Sequence, residues 1–304
     1  MSPGPVIHSG RTTRVLMAQV LIALSPAVIA AVVRGGAPAA ASIAAALAVA
    51  WGAQSLFLRR AALHESALVT GAILALTLPA TAPWWLAPLG SAIAVAFGKH
   101  VGGGAGNSLF NSAALARAVL MGLAPGILFA PRWPAPDGVT AASPLAKEID
   151  SVATPIRDLL LGNHPGSLAE AAPLAVLAGG LFLVAVRAID ARVPLVYLAT
   201  VSLFALFLPA GDRVSGHAPW LAHNSLLHIA SGGALFTGFF MLTDPVTAPF
   251  TPRGRMLFAA LAGAATMLAR LYTPYPDTAA LAVLLANACV PAIDARTIPR
   301  EALS

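Results

Sequence analysis

Apolar residues form blocks along most of this chain, and a block of about 15–20 residues nearly spans a hydrocarbon core of about 30 Å when it is helical. Short polar or proline-containing segments separate the blocks. The pattern predicts about ten transmembrane helices, at 15–33, 41–58, 66–80, 84–98, 112–129, 172–188, 193–209, 227–243, 255–271 and 278–293. We therefore expect an all-α polytopic membrane protein.

Composition supports the bilayer as the surroundings of this chain. Charged residues make up 10% of the 304 residues, whereas a soluble domain carries about 25%. The formal net charge is +6, but the Lys and Arg residues are scattered singly between apolar blocks. Nucleic-acid binding needs a clustered basic face, so we expect no nucleic-acid partner. A single cysteine, Cys289, excludes an internal disulfide and a multi-cysteine metal site, and we predict no metal ligands.

The distribution of Lys and Arg predicts the orientation, because basic residues favour the cytoplasmic side of a membrane. With the N-terminus inside, the inner loops and tails hold more basic residues than the outer loops. We expect a bacterial inner-membrane protein with both termini in the cytoplasm. Arg117 stands early in the fifth helix, where its side chain is expected to extend to the inner surface.

The chain divides into three parts. Residues 1–129 form a first membrane unit of helices 1–5, residues 130–171 form a long hydrophilic loop, and residues 172–304 form a second unit of helices 6–10. In the predicted orientation the loop is periplasmic. A loop of this length in a compact chain is usually functional or disordered.

The two membrane units resemble each other in sequence. Residues 67–83 read ALVTGAILALTLPATAP, and residues 234–249 read ALFTGFFMLTDPVTAP. Five helices per unit is an odd number, so the second copy crosses the membrane in the opposite sense, as two five-helix inverted repeats. Helices broken by Pro and Gly then occur in pairs from both faces, which indicates a central site for an ion or small substrate. Ordinary interfacial turns are the alternative.

Two segments predicted on the inner side carry candidate binding residues. Thr243 and Asp244 end an apolar helix, and a carboxylate there is costly unless it is paired or solvated. A hydrated helix-end residue is the alternative. A glycine-rich run at 102–106 precedes Asn111, where close backbone approach and an amide side chain suit a flavin edge or a dehydrated cation. A tight inter-helix turn is the competing interpretation.

Two further segments lie on the predicted outer side. Ser231, Gly232 and Gly233 open the eighth helix, and small residues there allow close approach of a neighbouring helix or a ligand. Residues 151–155 in the long loop read SVATP. By residue type alone, that stretch is a turn without assignable chemistry.

Several motifs occur in the order found in a known family. They are HESALVTG from His64, LPATAPWW from Leu78, GGxGxxxFNxA across 103–113, SVATP from Ser151, SGGxLxxxFFMLTDPVTAxxTPRGR from Ser231 and YPDxxAxAVLLANxCVPxID from Tyr275. With them the chain resembles the RnfD family of the Rnf ion-translocating electron-transport complex, and the related NqrB family of the Na⁺-pumping NADH:quinone reductase. The short N-terminus favours the Rnf type, whereas Arg117-Ala118 is closer to the Na⁺-pump type.

The resemblance implies two flavins. Family members carry FMN in a phosphoester bond to the threonine of a Ser-x-Ala-Thr motif, which matches Ser151, Ala153 and Thr154 here. A flavin transferase installs this FMN outside the membrane. Family members also hold a non-covalent riboflavin within the helix bundle, and the segment around Asn111 is a candidate contact. We group the 231–233 and 243–244 segments with these cofactor-binding residues.

The chain departs from the family pattern near Asn111. Ser108 stands at the first position of an Asn-x-x-Asn pattern, Asn107 is displaced by one residue, and Ser112 replaces a usual proline.

The predicted function is that of a flavin-carrying membrane subunit without a complete active site of its own. The resemblance implies electron transfer between flavins and the iron–sulfur centres of partner subunits, coupled to Na⁺ or H⁺ movement. The chain has no nucleotide-binding fold by sequence, so NADH binding would belong to a partner. The alternatives are a non-redox transporter or channel on the same scaffold, and a structural subunit that has lost its cofactors.

Overall fold

The computed structural model describes residues 12–57, 64–79, 81–101, 107–128, 145, 155–164, 166–170, 172–208, 225–273, 275 and 278–298. Their helices, in chain order, are α1 (Thr13–Phe57), α2 (His64–Thr77), α3 (Leu86–Ile93), π1 (Ala94–Val101), α4 (Ser112–Leu123), α5 (Pro125–Leu128), α6 (Ile156–Leu161), α7 (Pro173–Ala185), α8 (Arg192–Phe207), α9 (Ser225–Ala230), α10 (Ala234–Phe236), π2 (Thr237–Met241), α11 (Pro252–Tyr272) and α12 (Ala279–Thr297). Within these ranges the only β-structure is an isolated bridge between Pro79 and Ser167. The all-α prediction is confirmed.

Helices occupy every segment in which the hydrophobic pattern predicted one. The first two predicted spans run together as α1, which is broken at Gly36 by a positive φ of 63°. By length and composition, α1, α11 and α12 are long and apolar enough to cross a membrane, and shorter apolar helices cover 65–77, 86–101, 112–123, 173–185 and 192–207. A multi-pass membrane protein explains this set of helices.

Small residues face the interior of the bundle, and large apolar residues face outward. Ala27, Ala31 and Ala46 on α1 are fully buried, whereas Ile29 and Leu56 on the same helix are 62% and 86% exposed. In water that arrangement would be unfavourable. In lipid the tails solvate the large side chains, and small residues let helix backbones approach each other closely.

The matching glycines of the two similar sequences make matching contacts. Gly71, in ALVTG, packs so closely on α1 that a Cβ atom there would lie 2.9 Å from Ala50 Cβ. Gly238, in ALFTG, packs in the same way on α8, where a Cβ atom would lie 3.1 Å from Tyr197 Cδ1. In both halves, the third predicted helix thus uses this glycine against the second. The two-repeat interpretation stays a prediction, and these contacts agree with it.

Helix ends that the charge pattern assigns to one side of the membrane meet at one end of the bundle. Six such ends or adjacent turns line a single cavity, at Thr13, Ser66, Lys99, Asn111, Ala188 and Asp244. At the opposite end, Arg34, next to the break in α1, donates to the Gly162 carbonyl (2.6 Å) in the turn that follows α6. We call these the cavity end and the loop end. Which end faces the cytoplasm stays a prediction.

We expect Gly71→Leu to destabilise the bundle, because α1 leaves no room for a side chain at that position. Overpacking of this kind costs about 1–3 kcal/mol, which corresponds to a decrease of about 3 °C or more in Tm. The measurement is thermal unfolding of the detergent-purified chain. Gly52→Leu is the matched control, since a Cβ atom at Gly52 meets nothing within 4 Å. Equal Tm values for the two variants would contradict the assigned packing.

Candidate functional site

A cavity of about 600 Å³ opens among the helix ends at the cavity end of the bundle. Its volume lies within the range of about 300–1,000 Å³ typical of small-molecule sites. Apolar walls come from Val69, Ile73 and Leu183, together with the rings of Phe239 and Phe240. Polar groups come from Ser66, Thr70, Lys99, Asn111, Thr243 and Asp244. The cavity therefore suits a ligand with a flat apolar part and a polar edge.

Two adjacent glycines on α7 fix the position of the phenylalanine wall. A Cβ atom at Gly180 would lie 2.4 Å from Phe239 Cδ1, and a Cβ atom at Gly179 would lie 2.0 Å from the Ala23 carbonyl oxygen. The absence of side chains lets α7 pack directly against both α1 and the Phe239 ring. The backbone of α7 thus helps to set the width of the cavity.

Asp244 lines the cavity immediately after π2 ends. Its Oδ1 atom accepts a hydrogen bond from the Val246 N–H (3.0 Å), which closes a short turn around Pro245. The preceding Thr243 hydroxyl donates to the Phe239 carbonyl (2.6 Å), a group that the helix break would otherwise leave without a partner. Asp244 is half-buried, so its carboxylate is accessible from the cavity.

Lys99 brings a positive charge to the same cavity. The residue is only 7% exposed, and it lies near the end of π1. Its Nζ atom donates to the Ser66 carbonyl (2.7 Å) and to the Ser66 hydroxyl. Within the described residues no ion pair of 4.0 Å or less joins Lys99 to Asp244, so a ligand can interact with both charges.

Two buried asparagines hold the polar floor of the cavity together. Asn111 Oδ1 caps α4 by accepting from two backbone amides of its first turn (both 3.1 Å), and Asn111 Nδ2 donates to the Met241 carbonyl (3.3 Å). Asn287 Oδ1 accepts from the Asn111 N–H (2.9 Å), and Asn287 Nδ2 donates to the Thr247 carbonyl (3.1 Å). The network joins both halves of the chain.

A sequence profile of the NQR2, RnfD, RnfE family matches residues 1–302. This chain belongs to that family. The RnfD-type protein of the Na(+)-translocating ferredoxin:NAD(+) oxidoreductase complex of Acetobacterium woodii is 35% identical, over 99% of this chain and 94% of its own length. Its counterparts in ion-translocating oxidoreductase complexes are 34% identical in Halorhodospira halophila (98% and 93% covered) and 35% identical in Sodalis glossinidius (99% and 97% covered). The resemblance drawn from the motifs is confirmed.

The structure brings together some of the candidate residues of this family member and separates others. Asn111, Thr243 and Asp244 all line the cavity. The 231–233 segment, in contrast, lies at the loop end, between α9 and α10. Ser151, Ala153 and Thr154 lie outside the described residues.

At the loop end, two buried charged residues hold the 231–233 segment. The Glu170 carboxylate accepts from the Gly232 N–H (2.6 Å), and the Arg270 guanidinium donates to the carbonyls of Gly232 (2.8 Å), Ser231 (3.1 Å) and His228 (2.6 Å). Gly232 and Gly233 have φ values of 61° and 66°, a conformation that favours glycine. The geometry gives this segment a structural role as a broken helix start.

The end of α2 is closed in a similar way. The carbonyls of residues 76–78 point beyond the helix, and the N–H groups of Leu168 and Ala169 donate to two of them (2.9 and 2.8 Å). The Arg117 guanidinium donates to the third, that of Thr77. Arg117 is 3% exposed, so the expectation that it extends to the membrane surface is wrong. Hydrogen bonding to a helix end inside the protein explains its burial.

Sequence reasoning did not single out Lys99, Glu170, Arg270 or Asn287. Lys99 and Arg270 were counted as loop charges, and Glu170 was included in the long loop. The available signal was their position next to apolar blocks, since a charged residue within a membrane segment is a functional or structural candidate by default.

We expect Asn287→Leu to destabilise the protein, because it leaves the Asn111 N–H and the Thr247 carbonyl without these partners. Each orphaned buried group costs about 1–3 kcal/mol. Tm in detergent is the measurement. Thr200→Val is the control, because the Thr200 hydroxyl donates only within its own helix, to Val196 (2.8 Å). A Tm for Asn287→Leu as high as that of the control would rule out the network as a stabilising element.

Proposed function

We propose that this chain is a flavin-carrying membrane subunit of an ion-translocating oxidoreductase complex. It would pass electrons between flavins and the iron–sulfur centres of partner subunits. Family membership and the names of its relatives, which are RnfD-type components of such complexes, support the proposal. The observation that carries the flavin assignment is the cavity, with opposite charges in its walls and aromatic side chains beside them.

The cavity fits a non-covalent riboflavin. A flavin ring system has an apolar dimethylbenzene end and a polar pyrimidine end. The first matches Val69, Ile73 and the two phenylalanines, and the second matches the hydrogen-bonding side chains. When bound, the flavin would supply one- and two-electron redox chemistry. The chain would orient the ring, exclude bulk water and supply the local charges.

Asn111 contributes to this site chiefly through the backbone that it positions. Three hydrogen bonds already engage its side chain within the protein. Its amide thereby holds the start of α4 against the end of π2, and these two elements form the cavity wall near Asp244. The neighbouring Ser108 and Asn107 line the cavity as well, so the departure from the family spacing does not remove polar groups from the wall.

Covalent FMN on Thr154 is the second part of the proposal, and it rests on the Ser-x-Ala-Thr motif. The described residues that flank the motif are well anchored. Leu145 and Leu159 form a buried apolar cluster with Leu227 and Ala230 of α9. The FMN would thus be attached at the loop end, on the opposite side of the bundle from the cavity.

Orientation and partners complete the proposal. We place both termini in the cytoplasm and the FMN-bearing loop in the periplasm of a bacterial inner membrane, from the distribution of Lys and Arg. A periplasmic flavin transferase would then modify Thr154. Other subunits of an Rnf-type complex would exchange electrons with the flavins, and Na⁺ or H⁺ would be the transported ion, with Asp244 near the ion or flavin path.

We expect covalent flavin to depend on Thr154, because the phosphoester replaces its hydroxyl proton. After co-expression with a flavin transferase, the wild-type band should fluoresce in a denaturing gel and the Thr154→Val band should not. Thr140→Val, in the same loop, is the matched control and should remain fluorescent. A wild-type band without fluorescence would contradict FMN attachment, and uptake of a solute by such a flavin-free protein would favour the transporter alternative.

We expect Thr70→Trp to exclude non-covalent riboflavin, because Thr70 lines the cavity and an indole would fill part of its volume. The riboflavin released by denaturation should decrease about tenfold or more per chain, equivalent to at least about 1.4 kcal/mol of binding free energy. Leu181→Trp is the control, since Leu181 is 55% exposed on the outer face of α7. Unchanged riboflavin in folded Thr70→Trp would place the flavin elsewhere.

A further inference from the structure

Lys99 is held in the cavity wall by an unusual stretch of helix. It belongs to π1, whose wider turns follow directly on α3, and single-turn π segments are frequent at functional sites. Gly98 makes the position possible, because a Cβ atom there would lie 2.7 Å from Ser112 Cβ. The close approach of π1 to the start of α4 brings the Lys99 ammonium next to the polar part of the cavity.

The hydrogen bonds of Lys99 leave capacity for a ligand. An ammonium group has three donors, and Ser66 accepts from Nζ with both its carbonyl and its hydroxyl oxygen. Within the described part of the chain no carboxylate lies within 4.0 Å of Nζ. A buried cation with incomplete neutralisation is costly inside a membrane protein, and an electron-rich ligand offsets that cost.

We propose that Lys99 is the residue that tunes the bound flavin, by favouring its reduced form through its positive charge. This inference rests on the proposed non-covalent flavin in the cavity. Reduction adds two electrons and one proton to the oxidised ring, so the net charge changes by −1. A nearby cation stabilises the more negative form, and a nearby carboxylate destabilises it. Lys99 and Asp244 therefore have opposite effects on the same equilibrium.

This electrostatic role differs from a structural role in the sign of two substitutions. If Lys99 and Asp244 act through charge, Lys99→Gln lowers the midpoint potential and Asp244→Asn raises it. If either residue only maintains the shape of the cavity, its loss weakens binding of oxidised and reduced flavin alike, and the potential stays unchanged.

The experiment uses the full chain, purified in detergent after expression without a flavin transferase, so that only non-covalent flavin is present. Flavin per chain and the midpoint potential at one fixed pH are measured for the wild type, Lys99→Gln, Lys99→Arg and Asp244→Asn. Arg296→Gln is the control, because it removes an exposed cation whose guanidinium donates only within α12. Samples that lose flavin during purification are titrated with riboflavin in its oxidised and reduced states.

We expect Lys99→Gln to decrease the ratio of reduced to oxidised flavin affinity at least about tenfold, which lowers the potential by about 30 mV for a two-electron couple. Lys99→Arg should recover at least part of that shift, Asp244→Asn should shift the potential upward, and Arg296→Gln should match the wild type. A wild-type potential in Lys99→Gln, or equal weakening of both redox states, overturns the role of Lys99. A wild-type chain without flavin, or undiminished flavin in Thr70→Trp, overturns the flavin site itself and the inference with it.

Discussion

Backbone hydrogen bonding inside the bilayer is the constraint on which this structure depends, because lipid offers no partner for a free N–H or carbonyl group. The chain breaks several of its helices within the bundle, and buried side chains satisfy the ends. Arg117 binds the end of α2, Arg270 binds the carbonyls before α10, and Asn111 joins the start of α4 to the end of π2. Without these partners each break would cost several kcal/mol, and neither the cavity nor the loop end would keep its geometry.

The two similar sequences have acquired different chemistry at matching positions. In the first, Leu78 follows the helix end, is 1% exposed and is sealed by backbone pairing with Leu168. In the second, the corresponding residue is Asp244, which is half-buried and lines an open cavity. One scaffold thus supplies a closed end at one side and a ligand-sized opening at the other. The difference depends on a few residues, because the glycines that set the helix packing are the same in both copies.

The sequence was sufficient for the positions of the helices and for half of the candidate site. Hydrophobic blocks locate helices because a membrane segment has to be apolar along its whole length, and proline locates the breaks. Asp244 and Asn111 were recognisable as polar residues beside such breaks. Lys99, Asn287 and Glu170 were not, since their roles arise from contacts with residues distant in the chain: Asn287 meets Asn111 from the other half, and Glu170 meets Gly232. Counting every Lys and Arg as a loop charge also hid the buried ones.

Residues 167–170 connect three parts of the molecule within four positions. Their backbone pairs with the end of α2 in the first half, the Glu170 side chain holds Gly232 in the second, and the polypeptide leads directly from the SVATP-bearing loop into α7. A rotation of one half against the other at this end has to break at least one of those hydrogen bonds. The short stretch therefore acts as a mechanical linkage, through which a change in the relative orientation of the two halves is felt at the base of the loop.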